Sequence, residues 1–423
     1  MKIPGSADSA TQHPAGYEFK AILLLALGFG LVGLDRWLVM PLAPQIMRDL
    51  DLDYQDLGNL GSAVGLSWGI FAIFMGGLAD RVGRRRIIIP AIVLFSLLSG
   101  ASGLAGGLGM LLLARALMGV AEGAYCPASF AAGIDVSPQH RRGLNLGIIQ
   151  GCFSLFGLAL GPIIATQLIT VVPSWREVFF IVAAPGLILS IFMYKVLRDE
   201  VPIPPAKSTN DKGLVSQWRD ALRHRNLPIA VLAMVCAMVG VFVAGSMTPV
   251  FLTDVIGLDG PTMGLVMSGL GFGGFVGQIS LGGASDVIGR KPSLMLAFLV
   301  GAAALVCIVL VARSPIALFI MLFVAAFCCC GAAALLSGAV AGEAVPVVLA
   351  STAVGIVVGL GEILGGGVAP SVAGWIAVTA GLPAAMLSVA AMLGCGALIS
   401  FFLTETAPRL AAPLEPSLVS PAD

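Results

Sequence analysis

Five ionisable residues stand inside long apolar stretches: Asp35 and Arg36, Arg115 and Glu122, and Glu362. A charge at the centre of a bilayer costs about 2.5–3.5 kcal/mol even on the mildest scale, so such residues face a bundle interior and carry function. Asp254 and Glu343 fall near the ends of such stretches. Arg115 and Glu122 are seven positions apart. On a helix that places them on one face, ~10 Å apart along the axis. They cannot bond directly, but they can bracket a neighbour, and the spacing predicts an Asp35–Arg115 pair and an Arg36–Glu122 pair. Two roles fit this quartet. One is a structural tie between two helices. The other is proton handling: low dielectric favours a protonated carboxyl, and a nearby arginine opposes it. Protonation of Asp35 or Glu122 would release an arginine, and guanidinium groups take carboxylates readily. Arginine itself keeps its proton.

Around this core stand Tyr125, three residues beyond Glu122, with Gln150, Ser154 and Trp68 as further lining candidates; packing is the plain alternative for each. Glu362 lies in Gly361-Glu362-Ile363-Leu364-Gly365-Gly366-Gly367. It suits a second proton site or a ligand for a polar group, and equally a protonated hydrogen-bond donor to a neighbouring helix. The glycine run lacks the lysine of a phosphate loop and instead allows a bend. The eight cysteines fall in apolar runs without metal spacing, and the three histidines, His13, His140 and His224, fall in polar segments. Neither a metal site nor a histidine-based triad has material within the apolar runs. That argues against an enzyme, and no cofactor is called for beyond the proton as coupling ion.

The elements that must position these residues follow from composition. The chain has 423 residues, 58% hydrophobic and 11% charged. A soluble domain carries roughly 25% charge, so this is an integral membrane protein. A formal net charge of zero gives nucleic acid no attraction. Residues 1–17 are polar, and no cleavage site follows the first apolar run, which reads as a retained span rather than a secretory signal. A span needs about 20 apolar residues. Twelve are predicted, at 21–41, 57–79, 87–106, 108–133, 143–170, 177–197, 227–252, 262–284, 292–312, 315–341, 348–376 and 382–403. The runs are continuous rather than alternating, which excludes a barrel. Eighteen of the 23 lysines and arginines fall on the side of the termini and three on the other. The positive-inside rule then places both termini in the cytoplasm.

The predicted organisation is a tail (1–20), a six-helix bundle (21–197), a linker (198–226) with a short amphipathic piece near Val215 to Leu222, a second six-helix bundle (227–404) and a tail (405–423). A repeat supports the division. Gly76-Gly77-Leu78-Ala79-Asp80-Arg81-Val82-Gly83-Arg84-Arg85-Arg86 follows span 2, and Gly282-Gly283-Ala284-Ser285-Asp286-Val287-Ile288-Gly289-Arg290-Lys291 follows span 8. The glycines allow close contact at a helix end. Asp80 can cap a helix N-terminus and pair with an arginine, and Arg84 to Arg86 suit an anionic leaflet. Gly77, Asp80, Arg81, Gly83, Arg84 and Arg85, with Gly283, Asp286, Gly289 and Arg290, form a candidate conformational latch. Repeated halves with a site between them are the build of a secondary transporter.

Two such loops at a 6 + 6 division resemble the major facilitator superfamily over essentially the whole chain. Arg115-Ala116-Leu117-Met118-Gly119 resembles its R-x-x-x-G element, Gly157 to Pro162 its G-x-x-x-G-P element, and Trp175-Arg176 before Phe179 its W-R-x-x-F. Leu34-Asp35-Arg36, with Glu122-Gly123 and Pro127, resembles the anion:cation symporter branch, which includes sugar-acid and hexuronate carriers. The resemblance implies an all-α membrane protein: twelve transmembrane helices in two six-helix pseudo-symmetric bundles. It also implies proton coupling through Asp35 and Glu122, to which Glu362 is added as a candidate, and substrate contact through Arg36, with Arg115 beside it. The expected activity is proton-coupled uptake of a small organic anion by a monomer in the inner (plasma) membrane. Alternatives are a proton-linked antiporter exporting a drug-like or metabolite compound, to which the G-x-x-x-G-P element is typical, and a lysolipid carrier, where a related span-1 Asp-Arg occurs. Sugar-acid carriers tend to have tyrosine and glutamine in span 2. Here Ser67 and Trp68 are its main polar or aromatic content, which leans the substrate toward a less hydroxylated, aromatic carboxylate.

Overall fold

The computed structural model describes residues 16–138, 141–198, 214–346 and 349–407. Among them, twelve helices are long and apolar enough to cross a membrane. In chain order they are α1 (Tyr17–Leu50), α2 (Tyr54–Val82), α3 (Arg84–Ser102), α4 (Leu108–Val136), α5 (Leu144–Leu168), α6 (Trp175–Val196), α7 (Asn226–Val255), α8 (Gly260–Ile288), α9 (Arg290–Leu310), α10 (Pro315–Glu343), α11 (Thr352–Ala380) and α12 (Leu382–Phe401). All twelve expected spans are present.

The first is longer than its apolar run and is broken. Helical geometry stops at Trp37 and resumes at Val39. Pro41 explains the break: it has no N–H to give the Trp37 carbonyl, and its ring crowds that carbonyl. In the second segment Pro41 falls in the first turn, where a missing donor costs little. The helix then runs on to Leu50 beyond the expected end at 41. The start of α2 is set by a reciprocal cap. Asp53 accepts from the Asp56 N–H at 2.8 Å, and Asp56 accepts from the Asp53 N–H at 3.3 Å.

Two apolar cores form. One is built almost wholly from α1 to α6, the other from α7 to α12, with Trp37, Met40, Leu57 and Leu158 reaching into the second. The short helix Leu214–Leu222 lies where the amphipathic piece is expected, with Ala221 buried and Trp218 half-buried against the second core. Within each half, glycines bring backbones together. A Cβ on Gly33 would strike the Phe153 carbonyl of α5, and one on Gly273 the Phe323 carbonyl of α10.

Between the halves, α2 packs on α11 and α5 on α8. A Cβ on Gly65 would strike the Gly366 carbonyl, and one on Gly271 the backbone of Leu158 and Ala159. Gln278 Nε2 donates to Ser154 Oγ across the halves at 3.1 Å. Among the described residues, this is the cross-half hydrogen bond nearest the lysine- and arginine-rich end. Beyond it, Cβ atoms on Gly147, Gly282, Gly338 and Gly355 would meet nothing within 4 Å. The halves therefore touch at the charge-poor end and stand apart at the basic end.

Candidate functional site

Consecutive helical residues point about 100° apart, so Asp35 and Arg36 cannot face the same neighbour. Asp35 turns into the first half, where the Ser99 hydroxyl of α3 donates to its Oδ1 at 2.8 Å. Arg36 turns toward the second half. Its Nη2 donates to Glu362 Oε2 of α11 at 3.3 Å. The two expected pairs are therefore replaced by one ion pair that joins the halves. Its guanidinium carbon lies 4.5 Å from the Phe242 ring centre and 5.3 Å from that of Trp68, within cation–π range. Trp37 stacks on Phe242, the ring centres 5.5 Å apart and the planes 16° from parallel.

Arg115 serves the helix break. Its Nη1 donates to the carbonyls of Asp35 at 2.9 Å and Arg36 at 3.3 Å. Expected as a substrate contact, it instead lies 1% exposed within the first half and holds the backbone that carries Arg36. Glu122 is 0% exposed, and neither carboxylate oxygen has a hydrogen-bond partner. An unpaired buried carboxylate is costly, and taking up a proton removes that cost. Tyr125 also turns inward, donating to the Leu25 carbonyl at 3.2 Å. Gln150 is exposed, whereas Ser154 is buried in the cross-half contact with Gln278.

Glu362 opens a π-helical segment, Glu362–Val368, where the expected bend is realised as a widened turn. Gly366 permits it to pack, since a Cβ there would strike the Phe242 ring and the Glu362 carboxylate. A similar segment, Leu155–Leu160, covers the start of the G-x-x-x-G-P element. There a Cβ on Gly157 would collide with the Gly33 carbonyl and the Trp37 ring.

At the basic end the side chains of Gly77, Asp80 and Arg81 lie outside the described residues. Gly83 and Gly289 adopt φ of +104° and +111°, a region that favours glycine. Arg84 pairs with Asp135 and donates to the Ala131 carbonyl at 2.8 Å. Arg85 donates to the Tyr194 carbonyl at 2.6 Å. In the second copy Arg290 binds Asp286 at 2.6 Å and Glu343 at 2.9 Å. Gly283 faces open space, so the close contact expected of the loop glycines is not made there while the halves stand apart.

One element of this loop was not anticipated. Glu405, just past α12, accepts from the N–H groups of Arg290 at 2.8 Å and Lys291 at 3.1 Å, and so caps α9. Burial alone would push its carboxyl up, but the N–H groups of Ala407, Arg290, Lys291 and Thr406 hold it below the ordinary glutamate value. A depressed carboxyl stabilises the fold above its unfolded value and loses that contribution as pH falls through its folded one. Glu405→Gln is expected to lose about 1 kcal/mol, as for a lost N-cap, read as a lower melting temperature at pH 7. The gap should narrow as pH falls below about 4.5. A gap that widens on acidification would contradict the cap.

The charge-poor end is closed by polar groups. Tyr54 donates to Asp254 Oδ2 at 2.9 Å. Gln55 donates to the Ser371 hydroxyl at 3.1 Å, that hydroxyl donates to Asn59 at 2.6 Å, and the Ser371 N–H donates to Ser62 at 3.0 Å. The signal was in the sequence: Gln55, Asn59 and Ser62 recur at helical spacing on an otherwise apolar span. A hydrogen bond to a charged group contributes about 1.5–3 kcal/mol when well formed. Tyr54→Phe combined with Ser371→Ala should therefore open this end several-fold more often. The measure is labelling of a Ser246→Cys reporter by an impermeant maleimide from that side. Unchanged labelling would show that these bonds do not hold the closure.

Fold and site together define a twelve-helix membrane protein with an ion pair buried between its two halves. The Major Facilitator Superfamily profile matches residues 25–277 and 230–421, and the chain belongs to that superfamily. An uncharacterized MFS-type transporter of Bacillus subtilis, YwfA, is 26% identical over 75% of this chain and 76% of its own. The quinolone resistance protein NorA of Staphylococcus aureus is 32% identical over 45% of this chain and 47% of its own. A bacterial homolog of the human lysosomal transporter Spinster, solved inward-facing and unoccupied, superimposes with a TM-score of 0.78 at 18% identity. It covers 92% of this chain and 97% of that one, which establishes the shared fold.

Proposed function

We propose that this transporter carries a small organic anion inward together with protons across the inner (plasma) membrane, its basic end and both termini in the cytoplasm. The observation that carries this reading is the Arg36–Glu362 ion pair, buried between the halves beside Trp68 and Phe242. A substrate carboxylate competes with Glu362 for Arg36. Once displaced, Glu362 is a carboxylate in low dielectric, and a proton neutralises it. Anion and proton therefore favour the same rearrangement, which is the condition for symport. Asp35 and Glu122 supply further protonatable carboxyls directly behind Arg36. Arginine carries no proton in the cycle.

The break at Leu38 and the π-helical segments of α5 and α11 give the helices around this pair places to adjust as access alternates. Proteoliposomes loaded with a pH dye test the direction of coupling. Acidification of the lumen on adding substrate outside supports symport; alkalinisation of the lumen supports exchange. The exchange reading has its own support: the π-helical G-x-x-x-G-P element lies against Trp37, and NorA is a partial relative.

A further inference from the structure

The bond from Ser99 to Asp35 departs from what serines elsewhere in this molecule do. Within an apolar helix a serine hydroxyl turns back to a carbonyl of the preceding turn. Ser102, Ser129, Ser246 and Ser400 do so, at 2.7–2.9 Å. Ser99 instead leaves its own helix and donates to Asp35 Oδ1 of α1 at 2.8 Å. Among the described residues this is the one hydrogen bond its hydroxyl makes. Both residues are deeply buried, Ser99 at 0% and Asp35 at 2% exposure. Ser96, one turn earlier on α3, is equally buried, but its hydroxyl has no partner. It faces Gly186 of α6, where a Cβ would strike its Oγ.

We infer that Ser99 is a positioning residue for Asp35: its hydroxyl holds the ionised carboxylate against α3, yields to the Phe95 carbonyl when Asp35 takes a proton, and so sets the pH at which this site loads. The inference rests on the proton-coupling reading above. A hydrogen bond to the ionised form favours that form, and a charged acceptor roughly doubles its strength. A protonated carboxyl is the weaker acceptor, so the hydroxyl is released to the bond a helical serine ordinarily makes. Proton loading thereby loosens α1 from α3 at the break that carries Arg36. The other charges that act on Asp35 come from α4, through Arg115 and Glu122. Arg36 follows it in sequence and is engaged by Glu362 of α11. The arginines of α3 stand at its basic end, and α5 carries no charged residue from Leu144 to Leu168. Arg176, Glu177 and Lys195 lie at the ends of α6, and Asp254 at the end of α7. None of these groups is altered by truncating Ser99.

The test needs no substrate. In infrared spectra of the purified full-length transporter, the carbonyl band of protonated Asp35 is the one that Asp35→Asn removes. Its growth as pH falls gives the loading midpoint. Ser99→Ala should move that midpoint to more alkaline pH by ~1–2 units, the size expected for one hydrogen bond to a charged group. Ser96→Ala is the same truncation on the same helix at equal burial, and it should leave the midpoint at the parent value. A midpoint unchanged or lowered in Ser99→Ala, or moved equally in both variants, overturns the positioning role and leaves proton coupling standing. A parent protein with no Asp35-dependent band over the pH range in which it stays folded overturns the positioning role and also removes Asp35 from the coupling reading.

Discussion

Arg36→Ala is expected to abolish substrate binding. Arg36 is the cationic group that both halves share, and it is 3% exposed. Removing one partner of a buried ion pair costs roughly 3–5 kcal/mol, because the other charge is left uncompensated. Here that charge is Glu362, which a proton can neutralise, so the fold should survive while the anion loses its counter-charge. Affinity should fall by a hundredfold or more, read by titration in detergent. Glu362→Gln probes the other side of the pair. The amide can still accept from Arg36, but it neither competes as an anion nor takes a proton. Binding should persist with a weaker dependence on pH. Unchanged affinity in Arg36→Ala would remove this residue from the substrate site.

Asp35→Asn and Glu122→Gln should each abolish proton-driven accumulation while sparing substrate exchange. The structure makes these clean probes. An asparagine at position 35 keeps an acceptor for the Ser99 hydroxyl, 2.8 Å away in the parent. A glutamine at position 122 replaces a carboxyl whose oxygens have no hydrogen-bond partner, so no hydrogen bond is lost. The expected result in proteoliposomes is equilibration without uphill uptake under an imposed proton gradient, with counterflow near the parent rate. Full uphill uptake by both variants would overturn their role in coupling.

The two positions also show why a linear reading paired the charges differently. Depth along a helix follows from residue counting, and on depth alone Asp35 matches Arg115. Azimuth does not follow, because it depends on how each helix rotates against its neighbours. Residues 35 and 36 point about 100° apart. One therefore serves α3 within the first half, and the other serves α11 across the molecule. Glu362 was visible as a carboxylate amid glycines, but its partner lies 326 residues away. No local pattern encodes that separation. The capping role of Glu405 was hidden for the same reason: it becomes evident only when the end of α12 meets the start of α9.

By itself the sequence determined the membrane setting, the twelve spans, the repeated halves and the identity of the buried charges. Each of these depends on local hydrophobicity or on a short motif, and lipid enforces both strictly because it tolerates neither exposed backbone nor stray charge. The tertiary structure alone decided which charges meet and which end is closed. It also decided that Arg115 holds the backbone of α1 through the Asp35 and Arg36 carbonyls. Those outcomes depend on rotation about helix axes and on glycine-mediated approach between halves, which arise from packing all twelve helices at once.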